Sequence, residues 1–176
     1  MGQDNNEELW CDANLDAIVE WVEGAYPEEG CGLILERAEG GYEVRTLENL
    51  ANQYHEMDPE TYPRTAREFY VINPMEFMKA EERGDRVAVV FHSHADVGDY
   101  FSDEDVAAAT MPRNSEDEPY EEAHPGVDWL VVSVRDGEAD HATLFEFDAD
   151  DRDEPFPPVL EIAIDEDGYE ISGVGG

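Results

Sequence analysis

Apolar residues recur along this chain with two different periods, and the switches between them lay out its elements. Leu15, Ile18, Val19 and Val22 keep the i, i+3, i+4, i+7 spacing of an amphipathic helix over residues 14–25, with Asp12 or Asn14 as cap and Tyr26-Pro27 as its end. Residues 31–35 form a short apolar run, Gly40-Gly41 a turn, and residues 42–47 an alternating strand, which together predict a hairpin. Residues 48–63 are polar and carry Pro59 and Pro63, the signature of a loop; residues 67–72 read as a third strand. Asn73-Pro74 opens a helix with Met75, Phe77, Met78 and Ala80 as apolar positions, and Gly84 closes it. A β-branched run over 86–91 is the strongest strand signal, followed by a short helix over 102–110 and an exposed acidic loop over 111–125. Residues 128–134 and 142–147 read as a hairpin around Asp136-Gly137, residues 148–153 as a charged linker, and 159–164 as a last strand before Asp167-Gly168. The expected fold is α/β: one mixed-sheet domain with flanking helices over residues 1–150, then an acidic C-terminal extension over 151–176 with one candidate added strand.

Charge narrows the functions this pattern can serve. Acidic residues number 46 against 10 Lys and Arg, a formal net charge of −36, and they are spread through almost every segment. Such a surface repels phosphate backbones and anionic bilayers, which excludes nucleic acid and membrane surfaces as main partners. Self-repulsion of that size needs salt to screen it, so a salty cytoplasm is the expected setting. The first ten residues lack the basic and apolar regions of a secretory signal, position six is Asn6 rather than the Ser or Thr of a myristoylation site, and no apolar run spans a bilayer. A cytoplasmic protein is therefore expected. Cys11 and Cys31 make no disulfide framework, and Cys31 reads as a packed core thiol. The terminal Gly175-Gly176 pair reads as a flexible end.

The chemistry concentrates at residues 91–105. His92 and His94 are two apart at the end of an apolar strand, so period-two alternation sends both imidazoles to the same face. Two neutral nitrogen donors at one place suit a metal that takes about four ligands and keeps one position for water. A third ligand is then needed from elsewhere. Asp105 stands three residues after Ser102, in the first turn of the helix that follows a Gly-containing loop, and so can point back at the histidines. Taken singly, the histidines could be a polar rim and Ser102-x-x-Asp105 an ordinary capping box; together, at an apolar strand end, they point to a ligand set. His55, His124 and His141 have no ligand spacing and read as surface residues, with His141 in a turn. Arg64 and Arg67 stand out on so acidic a chain as a carboxylate site or as structural ion pairs.

The motif His92-Ser93-His94, seven residues, Ser102, two residues, Asp105 resembles that of the JAMM metalloproteases, also called MPN-plus domains. Upstream, Pro27-Glu28-Glu29-Gly30-Cys31-Gly32-Leu33 looks like the Pro-x-Glu-x-Cys-Gly-Leu form of bacterial members, which selects Glu29 over Glu28. The resemblance spans roughly residues 15–147; it departs at Ala95, where many members carry Pro, a position that bears on loop stiffness and not on the ligands. It implies an MPN fold of the cytidine deaminase-like kind. It also implies Zn²⁺ on His92, His94 and Asp105, Glu29 as general base and Ser102 as donor to the oxyanion. Without it, the same ligand set would also suit Fe²⁺ or Mn²⁺. The implied activity is hydrolysis of an amide or isopeptide bond at the C-terminus of a ubiquitin-like or sulfur-carrier protein; the alternative is a catalytically silent MPN scaffold. A closed structural zinc site is disfavoured, because neither Cys has ligand spacing.

Overall fold

In the computed structural model, residues 3–174 are described; Met1-Gly2 and the Gly175-Gly176 pair lie outside the described residues. Helices α1 (Gln3–Leu9) and α2 (Asp12–Ala25) precede the hairpin of β1 (Cys31–Glu36) and β2 (Tyr42–Leu47). Then come α3 (Ala51–Met57), α4 (Met75–Glu82), β3 (Arg86–Ala95) and α5 (Asp103–Ala109). The hairpin of β4 (Asp128–Arg135) and β5 (Glu138–Phe145) and a second hairpin, β6 (Pro158–Asp165) and β7 (Gly168–Gly173), complete the chain. All seven strands form one mixed sheet in the order β2-β1-β3-β4-β5-β6-β7. Its neighbours are antiparallel except β3 and β4, which are parallel and joined through α5.

Alternation along the central strands explains the two cores. Val89 and Phe91 of β3 face the side covered by Leu15, Ile18 and Val22 of α2, together with Ile34, Leu130 and Val132. Val90 faces the other side, with Leu33, Leu35, Val131, Trp129 and Phe145, under Ala80 of α4 and Ala109 of α5. His92 and His94 continue the Val90 face beyond the apolar run, and Ser93 faces the α2 side, where its Oγ accepts the Gly30 N–H at 2.8 Å.

Several local expectations are corrected. Residues 67–72 are not a strand: Asn49 stands where a neighbouring strand would. Its Oδ1 accepts the Val71 N–H at 3.0 Å, its amide donates to Phe69 O at 2.9 Å, and Leu50 N–H reaches Val71 O at 2.9 Å. Within 48–63 a short helix, α3, forms; its one buried residue is Ala51, too little to register as a period. Helix α2 begins at Asp12 with no side-chain cap; Asn14 donates instead to Leu9 O at 2.9 Å, satisfying a carbonyl at the end of α1. His141 lies in β5 rather than a turn. Strands β6 and β7 extend the same sheet beyond β5, so the tail supplies two paired strands.

Candidate metal centre

Three local devices deliver the predicted site residues. His92 and His94 come from successive same-face positions of β3. Their Nε2 atoms stand 3.1 Å apart. Asp105 comes from the first turn of α5, which Ser102 caps reciprocally: Ser102 Oγ accepts the Asp105 N–H at 3.1 Å, and the Ser102 N–H donates to Asp105 Oδ2 at 3.0 Å. That box turns the carboxylate inward, so Oδ1 lies 3.1 Å from His92 Nε2 and Oδ2 lies 3.4 Å from His94 Nε2. Glu29 sits between α2 and β1, where β1 pairs with β3 and sets Cys31 opposite His92. Its ligand oxygen and one nitrogen from each histidine lie within 4.8 Å of one another. His92, His94, Asp105 and Glu29 are all buried, at 0%, 4%, 5% and 6% exposure.

The donor set fits a divalent metal. Two imidazole nitrogens and a carboxylate around a tetrahedral ion, at bond lengths near 2.0–2.1 Å, would stand about 3.3 Å apart. The two Nε2 atoms are 3.1 Å apart, and the Asp105 carboxylate lies beside both, with Oδ1 3.1 Å from His92 and Oδ2 3.4 Å from His94. The His94 Nδ1–H donates to Gly98 O at 2.9 Å, which leaves the Nε2 lone pair facing the cluster. His92 Nδ1 has no partner among the described residues; its ring is held by stacking on Tyr70, with centroids 4.2 Å apart.

Electrostatics separates the roles. Burial pushes the Glu29 carboxyl up to about 8, helped by the charges of Asp105 and Glu68 and opposed by His94 and Arg64. Burial acts the same way on Asp105, but the histidines and the Ser102 N–H outweigh it and hold that carboxyl well below its ordinary range. Burial lowers His92, against the charge and bond of Asp105, which raise it. Burial also lowers His94, but its bond to Asp105 and the charge of Glu29 outweigh this and raise it. Burial raises the Cys31 thiol to about 12, and its Sγ lies 3.8 Å from Leu47 O, which leaves it a core thiol beside the site.

The cluster opens into a cavity of about 510 Å³ lined by Glu29, His94, Ser102, Tyr100, Arg64 and Arg67, among others. Its floor is tied down by residues that motif spacing does not flag. Asn49 donates to Glu29 O at 2.9 Å, and Glu29 N–H donates to Ala66 O at 2.7 Å. On the other side, Asp99 pairs with His141 Nδ1 and accepts from Thr143 Oγ1 at 2.6 Å, pinning the loop that carries Gly98 and Tyr100. His124 stacks on Phe77 with centroids 4.5 Å apart, and His55 Nδ1 bonds Tyr62 O at 2.7 Å, so neither approaches the cluster. A single polar residue in a polar stretch carries no periodic signal, so nothing in the sequence marks Asn49 or Asp99.

A family model described as prokaryotic homologs of the JAB domain matches residues 12–144, and the chain belongs to that family. The match covers the whole cluster, from Glu29 to Asp105. No curated protein matches the chain. Among solved structures it is similar to a protein from Desulfitobacterium hafniense, at 18% identity over 92% of this chain and 86% of that one, TM-score 0.45. It is also similar to a protein from Salinibacter ruber, at 26% identity over 81% of this chain and 84% of that one, TM-score 0.45. Neither likeness bears on function. Among the described residues no helix is long and apolar enough to cross a membrane.

Proposed function

We propose that this chain is a zinc-dependent metallopeptidase of the JAMM kind, hydrolysing an amide bond at the C-terminus of a ubiquitin-like or sulfur-carrier protein. The observation that carries the reading is the buried cluster of His92, His94 and Asp105, whose His94 faces a cavity also lined by Glu29 and Ser102. Zinc bound there would supply Lewis acidity, lowering the pKa of a water to about 7 and polarising the scissile carbonyl. Glu29 accepts the water's proton and returns it to the departing nitrogen; its carboxyl, raised to about 8 by burial, exchanges protons in the neutral range. Ser102 lines the same cavity, where its hydroxyl is the candidate oxyanion donor, a role worth about 3 kcal/mol. The strongly negative surface suits a salty cytoplasm.

A catalytically silent scaffold is the competing reading. It draws on the way the cluster's polar groups satisfy one another, His92 against His94 and Asp105 against both. The deciding experiment loads wild type, Glu29→Gln and Asp105→Asn with zinc and follows cleavage of Gly-Gly-linked substrates. The proposal expects Glu29→Gln to keep its zinc and lose activity, and Asp105→Asn to lose both. Loss of zinc from Glu29→Gln would make Glu29 a ligand and overturn the role assigned to it. No cleavage by zinc-loaded wild type would favour the scaffold.

A further inference from the structure

The chain has ten basic side chains against 46 acidic ones. Seven of the ten pair with carboxylates. Arg113 and Arg152 donate to backbone carbonyls. Arg67 alone has no ion pair, hydrogen bond or ring contact among the described residues, although acidic residues line the same cavity. It is exposed, and it lines the same cavity as Glu29 and His94. A cation left unpaired on a chain of net charge −36, beside the candidate catalytic groups, is free to take an anion from outside.

Its backbone is held in register with those groups. Ala66, the residue before Arg67, accepts the Glu29 N–H at 2.7 Å and donates its own N–H to Asn52 Oδ1 at 2.8 Å. Asn49 bridges Glu29 O and Phe69 O, each at 2.9 Å. Arg64 fastens the start of the segment to Glu104 on α5, next to Asp105, at 2.5 Å. Arg64 is thereby neutralised and structural, whereas the Arg67 guanidinium keeps its planar fork of donors, the geometry that binds a carboxylate through two parallel bonds. A phosphate would bring more negative charge to a cavity also lined by Glu29, Glu68, Asp96 and Glu104; a carboxylate brings one. A volume of about 510 Å³ is within the range of small-ligand pockets and holds a short peptide end.

We infer that Arg67 is a specificity-determining residue that binds the free α-carboxylate of the substrate's departing end, so that the bond cut is a C-terminal peptide bond and not an isopeptide bond to a lysine side chain. The inference rests on the proposed hydrolase function. The water oxygen bonds to the scissile carbonyl carbon and the C–N bond breaks. The acyl side leaves as a carboxylate, and both water protons end on the departing nitrogen as an ammonium group.

The test uses an acetylated peptide ending in Gly-Gly-Ala, once as free acid and once as C-terminal amide, with the zinc-loaded full chain in high salt. The acid should be preferred in kcat/KM by about 10- to 100-fold, the range of a hydrogen-bonded charge. Arg67→Gln should bring the acid-to-amide ratio close to one through KM, and Arg67→Lys should restore part of it. Calorimetric binding of both peptides to Glu29→Gln protein reads the same preference without turnover. Equal binding of acid and amide, or an equal loss for both in Arg67→Gln, would overturn the inference. Binding that prefers the acid through Arg67, with no cleavage of either peptide by wild type, would support the carboxylate site and overturn the hydrolase reading instead.

Discussion

Replacing Gly32 with Ala should break the platform on which the site stands. Gly32 lies on β1 between two neighbours. A Cβ there would sit 2.4 Å from the Arg45 carbonyl oxygen and 2.4 Å from Phe91 Cζ. Ordinary contacts between such atoms are about 3.5 Å or longer, so something must move by about an ångström. The carbonyl is backbone in the β1–β2 ladder, and Phe91 is fully buried, so neither yields freely. Overpacking at one rigid neighbour costs about 1–3 kcal/mol, and two obstacles, less the roughly 0.5–1 kcal/mol that Ala gains over Gly, give about 1–5 kcal/mol, centred near 3. Against a global stability of about 5–15 kcal/mol this is a large fraction. Urea unfolding at fixed high salt measures it: with a slope of about 2 kcal/mol/M the midpoint should fall by about 1.5 M at unchanged slope. In a Phe91→Leu background the clashing ring atoms are absent while the carbonyl remains, so Gly32→Ala should cost about 1 kcal/mol less there. A midpoint within about 0.3 M of wild type would refute the reasoning, since it would mean the strands separate at little cost. Phe91 precedes His92, and Cys31 pairs with His92, so the displacement also reaches the cluster.

Three further outcomes rest on the same geometry. Asp99→Ala releases the loop that orients His94 through Gly98, so zinc affinity in a chelator competition should weaken about tenfold; an unchanged affinity would show that the loop holds without its anchor. Asp128 is pushed up to about 7 by burial and by Glu146 and Glu122, against Arg86. The folded state thus holds this proton to higher pH than the unfolded chain. The associated stability is full below about pH 4 and lost as pH rises to about 7. Asp128→Asn should therefore raise stability at pH 8 by about 1–2 kcal/mol, discounted for partial exposure, and change it little at pH 4; equal effects at both pH values would contradict this. Finally, protons compete with metal for His94, whose affinity for them is raised. Zinc binding should therefore weaken as pH falls, beginning above the imidazole's ordinary 6.5, and a titration flat to pH 5 would be inconsistent with an imidazole ligand.

Whatever repeats, or is reciprocal over a few residues, is legible in the sequence. The β1–β2 hairpin follows from alternation around Gly40 and Gly41, whose φ values of 104° and 79° no ordinary side chain adopts readily. The shared face of His92 and His94 follows from the strand period, and the inward turn of Asp105 from the capping box. What escapes depends on contacts distant in sequence. An apolar pattern over 67–72 reads as a strand until Asn49, about twenty residues away, is seen to take its backbone bonds. The partnership of Asp99 with His141 spans 42 residues and joins two positions that look like isolated surface groups. The tail's second strand, β7, has no fully buried residue, and Tyr169 alone packs against the core, too little to register as a period.

Metal content by mass spectrometry on purified protein, wild type beside His94→Ala, tests the central claim most directly. About one zinc per chain is expected in wild type, and its loss in the variant, with both proteins folded in high salt. Wild type that carries no metal and takes up none on titration with zinc would contradict it.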